Sequence, residues 1–208
     1  MEPGSKKISD EALAAEAQKG DMQSFEELVY RYEARVFAFL RNGCANEADA
    51  RDLCQETFLA VFRNLQKFKI SRSFATWIFV IARRKCIDYY RERGSRNTLV
   101  ESPPEIAGIE NATGENPENL LAQREARNDL WDLARRTLPE LQFQSLWLRY
   151  GEEMSVLEIA RVLGKSKTHV KVLLFRARAS LASELKKVSR EANELADLTI
   201  QKLNLERT

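Results

Sequence analysis

Apolar residues recur at steps of three and four along both halves of the chain, which is the spacing of one face of an α-helix. The clearest series starts after Asp21, a suitable N-cap, and ends before Gly43; it comprises Phe25, Leu28, Val29, Tyr32, Val36, Phe39 and Leu40. Residues 9–19 and the segments that follow Asn46 and Ser73 have the same spacing. No stretch alternates between apolar and polar residues for long enough to predict a strand. The sequence therefore predicts an all-α fold.

Glycine and proline, which interrupt helices, are concentrated in one part of the chain. Of the eight glycines and five prolines, six lie close together among Ser, Asn, Thr and Glu. Because such a segment buries little apolar area, we interpret 94–118 as a flexible, acidic linker. It separates an N-terminal helical domain, 1–93 with its core at 20–93, from a C-terminal domain at 119–187. The tail, 188–208, has loosely helical apolar spacing.

Composition excludes several classes of protein. The longest apolar stretches, such as 77–82, are far shorter than the roughly 20 residues of a membrane helix, and the polar start is unlike a secretion signal. We therefore expect a cytoplasmic protein that does not insert into a membrane. The single histidine and the spacing of Cys44, Cys54 and Cys86 predict no metal site, cofactor or disulfide framework. We interpret each cysteine as a small buried or half-buried apolar residue.

The charge of the chain is divided among segments. The formal net charge is only +2, but 83–96 carry +4, 161–187 carry +7 and the intervening 97–129 carry −5. Clustered Lys and Arg are typical of surfaces that bind nucleic acid, because they neutralise phosphates and release counterions. The sequence thus indicates two basic patches, each on a predicted helix.

The second patch lies in a helix-turn-helix pattern. Ser155 and Glu158 form a capping-box signal before a short apolar helix, Gly164 ends that helix, and a longer basic helix starts near Ser166. In this motif the second helix enters the major groove of DNA. An ordinary helical hairpin with a basic outer face has the same pattern, so both interpretations stay open at this point.

The first patch combines cations with aromatic residues. Its Arg and Lys side chains alternate with Trp77, Phe79, Tyr89 and Tyr90, and aromatic faces can stack on unpaired bases. This combination favours single-stranded or opening DNA over a closed duplex. The alternative is a solvated helix end whose cations lie at the negative pole of the helix dipole.

Together the two halves resemble one bacterial family. DARDLCQETFLAVFRNLQKF (49–68), followed by FATWIFVIARRKCIDYYRER (74–93), resembles the second region of sigma factors of the extracytoplasmic-function (ECF) group. LPELQFQSLWLRYGEEMSVLEIARVLGKSKTHVKVLLFRARASL (138–181) is similar to the fourth region of that group. The resemblance implies a region 2 helical bundle and a region 4 helix-turn-helix domain. It also implies a subunit that binds core RNA polymerase, directs it to promoter DNA and is inhibited by an anti-sigma protein, soluble or held in a membrane.

The resemblance assigns three sets of site residues. The candidate contacts with core RNA polymerase are Asp52, Leu53, Gln55, Glu56, Leu59 and Phe62. The candidates for the −10 promoter element are Lys69, Ser71, Arg72, Ser73, Phe74, Trp77, Arg83, Arg84, Lys85, Asp88, Tyr89 and Arg91. The candidates for the −35 element are Ser155, Ser166, Lys167, Thr168, His169, Lys171, Val172, Arg176 and Arg178. For Trp77 we favour packing in the core over a contact with DNA.

The chain departs from the family pattern in the second helix of the motif. A polar Ser–Arg pair is usual there, but this chain has Val172 and Leu173. These apolar residues either contact thymine methyl groups or pack inside a wider core. His169 is interpreted as a base or phosphate contact because it has no partner cluster for metal binding or catalysis.

A second function from a different class fits the same pattern. A stand-alone repressor or activator would bind duplex DNA through the C-terminal motif and use the N-terminal helices to dimerise or to sense a signal. It would bind duplex DNA tightly without RNA polymerase. No Gly-rich phosphate loop, acid–base pair or Ser/His/Asp set is present, so we expect no enzymatic activity and no catalytic residue.

Overall fold

The structure is a computed structural model, which describes residues 8–41, 43, 44, 46–94 and 128–205. Every regular element in that part of the chain is a helix, as predicted. In chain order they are α1 (Asp10–Gln18), α2 (Met22–Arg41), α3 (Glu47–Asn64), a short 3₁₀ turn (Leu65–Lys67), α4 (Phe74–Gly94), α5 (described over 128–137), α6 (Glu140–Tyr150), α7 (Val156–Leu163) and α8 (Lys167–Leu205).

The polar residues predicted to start the N-terminal helices do cap them. The side chains of Ser9, Asn46 and Ser73 each accept a hydrogen bond from the backbone N–H three residues ahead, at 3.2, 2.8 and 3.1 Å. Asp21 accepts one from the amide of Gln23 at 3.1 Å. These bonds satisfy N–H groups that have no partner within the helix, so the sequence defines the starts of these helices locally.

Aromatic pairs form the core of the N-terminal helices. Phe39 of α2 meets Phe79 of α4 edge to face, with ring centroids 5.3 Å apart. Tyr32 and Phe74 join the same two helices at the same distance. The Tyr32 hydroxyl donates a 2.5 Å hydrogen bond to Asp10, which ties α1 to this core. Burial and this bond raise the Tyr32 pKa, so the phenol stays protonated and the bond is retained.

A second aromatic group holds the C-terminal helices together. Trp131 of α5 lies 4.9 Å from Trp147 and 6.0 Å from Phe143, both on α6. The inner face of α8 completes this core with Val170, Leu173, Leu174, Ala177 and Leu181. Because these residues follow helical spacing, the basic residues between them are left on the outer face of α8.

The two groups of helices pack directly on each other. Their buried apolar residues form one continuous cluster, in which α4 contacts α7. The predicted linker lies outside the described residues, except for Gly94, which ends α4. In the segment predicted as a tail, the backbone continues α8 as far as Leu205. The sequence pattern predicted two helical domains but no contact between them.

Candidate nucleic-acid interface

The helix-turn-helix pattern is realised by α7 and α8. The capping box of Ser155 and Glu158 is formed in both directions at the start of α7. Gly164 ends α7 with φ 62° and ψ 37°, a left-handed conformation that strains any residue with a side chain. Ser166 then caps α8, accepting a 3.2 Å hydrogen bond from the His169 amide. The turn therefore positions the first residues of α8 through local bonds alone.

The first turns of α8 have one buried and one exposed face. All the candidates for the −35 element are exposed: Ser155, Ser166, Lys167, Thr168, His169, Lys171, Val172, Arg176 and Arg178. The structure separates the unusual apolar pair, because Leu173 is buried while Val172 faces outward with 42% of its surface exposed. Leu173 is thus a core residue, and Val172 belongs to the outer face.

The outer face of α7 and α8 is strongly cationic. Residues 159–183 contain six Lys or Arg and no Asp or Glu. Between the flanking acids Glu158 and Glu184, this segment produces a positive potential that suits a polyanionic ligand. The interpretation of the sequence did not single out Phe175, which is 68% exposed on the same face. Its position three residues after Val172 was the signal that could have identified it.

The candidates for the −10 element are divided between surface and interior. Lys69, Ser71 and Arg72, before α4, are exposed, as are Arg84, Asp88 and Arg91 on α4. Phe74 is fully buried, so its side chain belongs to the core of this structure. Trp77 is half-buried against the core, and its ring centroid lies 5.0 Å from that of Phe68 and 5.8 Å from that of Phe74.

Several polar candidates on α4 are held by neighbouring acids. Lys85 donates a 2.7 Å hydrogen bond to Glu56 of α3, and the Tyr89 hydroxyl donates one of 2.5 Å to Asp49. Arg83 is bonded at 2.7 Å to Glu140 of α6, with only 12% of its side chain exposed. The cations of this surface that face solvent are therefore Lys69, Arg72, Arg84 and Arg91. Arg83 is instead bonded to the C-terminal helices.

The candidates for polymerase binding line the outer side of α3. Asp52, Gln55, Glu56, Leu59 and Phe62 are exposed, whereas Leu53 is buried. Beside them an open groove of about 830 Å³ runs between α2 and α3. Its mainly apolar lining includes Met22, Phe25, Val29, Phe37, Phe58, Leu59 and Phe62. An exposed apolar groove beside polar side chains is typical of a protein-binding surface.

Polar bridges join the N-terminal helices to the C-terminal helices. Arg35 of α2 forms a two-point ion pair with Glu152, whose side chain is fully buried, and Thr76 of α4 donates a 3.2 Å hydrogen bond to Glu158. Burial raises the Glu152 pKa, although the Arg35 guanidinium opposes that shift. No local pattern in the sequence marks Arg35 or Glu152, because they are far apart along the chain and meet only in the tertiary structure.

The three cysteines are shielded from solvent, since Cys54 and Cys86 are buried and Cys44 is partly buried. Burial, the dominant cause, raises the pKa of Cys44, Cys54 and Cys86 to about 12 each, so all three stay protonated thiols. In the part of the chain that the structure describes, no three His, Cys, Asp or Glu side chains are grouped closely enough to hold a metal ion. Among the described helices, none is both long enough and apolar enough to cross a bilayer.

Comparisons with known proteins match both halves of the chain. The family model described as Sigma-70 region 2 matches residues 28–96, and the one described as Sigma-70, region 4 matches residues 131–181. The chain is similar to the ECF RNA polymerase sigma factor SigW of Bacillus subtilis, with 28% identity over 179 residues, 82% of this chain and 94% of that protein. The first of these regions contains the exposed polymerase and −10 candidates of α3 and α4, and the second contains the helix-turn-helix.

Two solved structures have a similar fold. CnrH in complex with the cytosolic domain of CnrY has a TM-score of 0.58 and 26% identity, over 86% of this chain and 99% of that chain. The sigma factor RpoE in complex with the anti-sigma factor NepR, from Bartonella quintana, has a TM-score of 0.60 and 21% identity, over 79% of this chain and 98% of that chain. Because RpoE is only 21% identical, its likeness to this chain supports a shared fold and nothing more.

Proposed function

This chain belongs to the ECF group of bacterial RNA polymerase sigma factors, and from that premise we propose that it binds core RNA polymerase and directs it to promoter DNA. The observation that carries the proposal is the helix-turn-helix, whose residues 159–183 include six cations and no acid, on the same chain as the exposed polymerase and −10 candidates of α3 and α4. A stand-alone DNA-binding regulator would need only the first of these two surfaces.

At the upstream promoter element, we assign duplex binding to the start of α8. Its exposed N-terminal residues, Ser166 to Lys171, are placed to contact base edges in the major groove. Arg176 and Arg178, one to two turns further along, are placed to neutralise phosphates. The contribution of the phosphates predicts that binding weakens steeply with added salt.

At the downstream element, we assign DNA contact to the exposed cations around the start of α4 and along it: Lys69, Arg72, Arg84 and Arg91. Arg83 joins this set only when its ion pair with Glu140 is broken. Extruding a base from the duplex costs a few kcal/mol, which stacking and edge hydrogen bonds must offset. Strand opening is thus driven by binding energy, and we propose no enzymatic activity for this chain.

For core RNA polymerase, we assign docking to the outer side of α3 and the adjoining groove. Leu59 and Phe62 are 53% and 45% exposed, and they border acidic and amide side chains. Apolar anchors surrounded by polar groups carry most of the binding energy in protein interfaces. The same surface remains free while the two domains are packed together, so docking does not require them to separate first.

An anti-sigma protein is the further partner we propose. RpoE of Bartonella quintana has been crystallised with the anti-sigma factor NepR, and the structure of CnrH is that of a complex with the cytosolic domain of CnrY. Such a partner inhibits most directly if it covers the exposed α3 side and its groove, where polymerase would dock. Because polymerase and chromosome share one compartment in bacteria, we place the activity of this chain in the cytoplasm.

Run-off transcription with purified core polymerase and a promoter library tests the proposal. We expect Phe62→Asp to weaken binding to core polymerase about 30-fold or more, because it places a charge in an apolar contact. Tyr30→Asp is the matched control, since Tyr30 is 82% exposed on α2 and does not line the groove. The proposal is wrong if the unmodified chain supports no initiation from any promoter in the library. Equal polymerase binding by both variants would remove the α3 side from the proposed docking surface.

A further inference from the structure

The outward side chain of Val172 is not explained by the packing of α8. Its neighbours Val170, Leu173 and Leu174 are all buried, whereas Val172 has 42% of its surface exposed. An exposed valine contributes little to the core and lowers helix propensity slightly, because its branched side chain is restricted in a helix. The residue therefore offers two methyl groups to whatever covers this face.

Val172 lies where a recognition helix reaches base edges. It follows Lys167, the first residue of α8, by five positions, which is about 7.5 Å along the helix axis. In helix-turn-helix proteins the first turns of the second helix enter the major groove. On the helix surface Val172 is adjacent to Thr168, one turn before it, and Arg176, one turn after it, both of which are exposed.

The charge around Val172 favours DNA over a protein as the molecule that covers it. Lys171 precedes it, Arg176 lies one turn further on, and there is no acidic residue anywhere in 159–183. A protein surface that covered this face would have to neutralise these cations with clustered acids, whereas the phosphates of duplex DNA do so along both sides of the groove. The occupant we consider is therefore the major groove of duplex DNA.

We propose that Val172 reads the 5-methyl group of a thymine in the upstream promoter element. The inference rests on the proposed function and specifies which base chemistry its recognition helix selects. In the major groove, thymine is the base that presents a methyl group, next to its O4 acceptor. A valine side chain has no donor or acceptor, so it gains from the methyl group and cannot hydrogen-bond to the polar edge of any base.

The test isolates that methyl group by exchanging thymine for deoxyuracil. The full chain bound to core polymerase first selects duplexes from a library randomised across the upstream element. Each thymine of the selected sequence is then replaced singly by deoxyuracil, which lacks only the methyl group. We expect one position at which the replacement weakens binding about fourfold, the effect of one lost methyl contact.

Two variants show whether Val172 makes this contact. Val172→Ser should bind the thymine duplex about fourfold more weakly and should not respond to deoxyuracil at that position. Val188→Ser is the matched control, since Val188 is 50% exposed on the same helix but about 24 Å further along it. The control should keep the full response to deoxyuracil.

The remaining outcomes overturn the inference, and they separate it from the proposed function. Selected sequences without a methyl-sensitive position, or an unchanged deoxyuracil response in Val172→Ser, overturn the role of Val172 and leave the sigma factor function intact. Weaker assembly of Val172→Ser with core polymerase in the absence of DNA would assign Val172 to a protein contact instead. No enrichment of any sequence with polymerase present overturns both proposals.

Discussion

Replacing Arg35 by Ala is expected to lower the free energy of unfolding by about 3–5 kcal/mol at pH 8, because it leaves a buried carboxylate without its partner. Arg35 holds the fully buried Glu152 side chain across the contact between the two domains, and its guanidinium lies 4.5 Å from the Tyr32 ring centroid. The loss should be much smaller at pH 5. Urea unfolding followed by circular dichroism at both values measures it.

The pH dependence follows from the direction of the Glu152 pKa. Burial raises it above the ordinary value of 4.5, and Arg35 opposes the rise. The folded chain therefore binds the proton of the Glu152 carboxyl more tightly than the unfolded chain does. The stability that the protonated Glu152 contributes is present below pH 4.5 and is lost as the pH rises through the folded-state pKa. Without Arg35 that pKa moves higher still, so more of the loss falls between pH 5 and pH 8.

Arg51→Ala is the matched control for this change. Arg51 pairs with Glu47 within α3, where 68% of the Arg51 side chain and 35% of the Glu47 side chain are exposed. Exposed pairs of this kind contribute about 0.2–1 kcal/mol, so the control should stay within that range at both pH values. A loss in Arg35→Ala that is equally large at pH 5 and pH 8 would show that Glu152 is not a buried charge held by Arg35.

The second large effect is expected for Phe79→Ala, which should lower the free energy of unfolding by about 3–5 kcal/mol. The Phe79 ring is fully buried and meets Phe39 edge to face, so its removal leaves a cavity between α2 and α4. Of these two helices, α2 lines the groove of the proposed polymerase surface and α4 carries part of the proposed −10 surface. Thermal and urea unfolding measure the loss, and we expect core polymerase binding to fall only where the variant is no longer fully folded.

Phe175→Ala makes the same chemical change at a solvated position. With 68% of its surface exposed, Phe175 contributes little to the core, and its removal should change stability by less than about 0.5 kcal/mol. A similar loss in both variants would contradict the burial of Phe79. Because Phe175 lies on the outer face of α8, this variant also shows how far DNA binding depends on that face when the fold is unchanged.

Most of the helix-turn-helix could be predicted from the sequence because its signals are local. Ser155, Glu158, Gly164 and Ser166 act within one helical turn, through caps and a left-handed backbone conformation. The outward orientation of the basic residues follows from the 3.6-residue period. Periodicity alone could not separate Val172 from Leu173, since either residue fits the edge of the apolar stripe. The packing of α8 on α6 and α7 placed Leu173 inside.

The proposed −10 and polymerase surfaces were less predictable at the level of single residues. The resemblance pointed to α3 and α4, but within them Leu53 and Phe74 proved to be buried. A motif identifies positions that a family retains, and the same position can be retained for packing or for contact with a partner. Only the neighbours in space distinguish these roles, as the rings of Phe68 and Tyr32 do for Phe74.

The sequence by itself determined the helices, most of their ends and the separation of charge into two basic patches, because these depend on residues within a few positions of one another. The tertiary structure alone decided that the domains pack together through Arg35–Glu152 and Arg83–Glu140. The partners of these two bridges lie 117 and 57 positions apart along the chain, respectively. The strength of each bridge depends on its burial, which no local pattern encodes. The tertiary structure also decided which cations of the predicted −10 set face solvent. Arg84 does, while Arg83 is paired with Glu140 of the other domain.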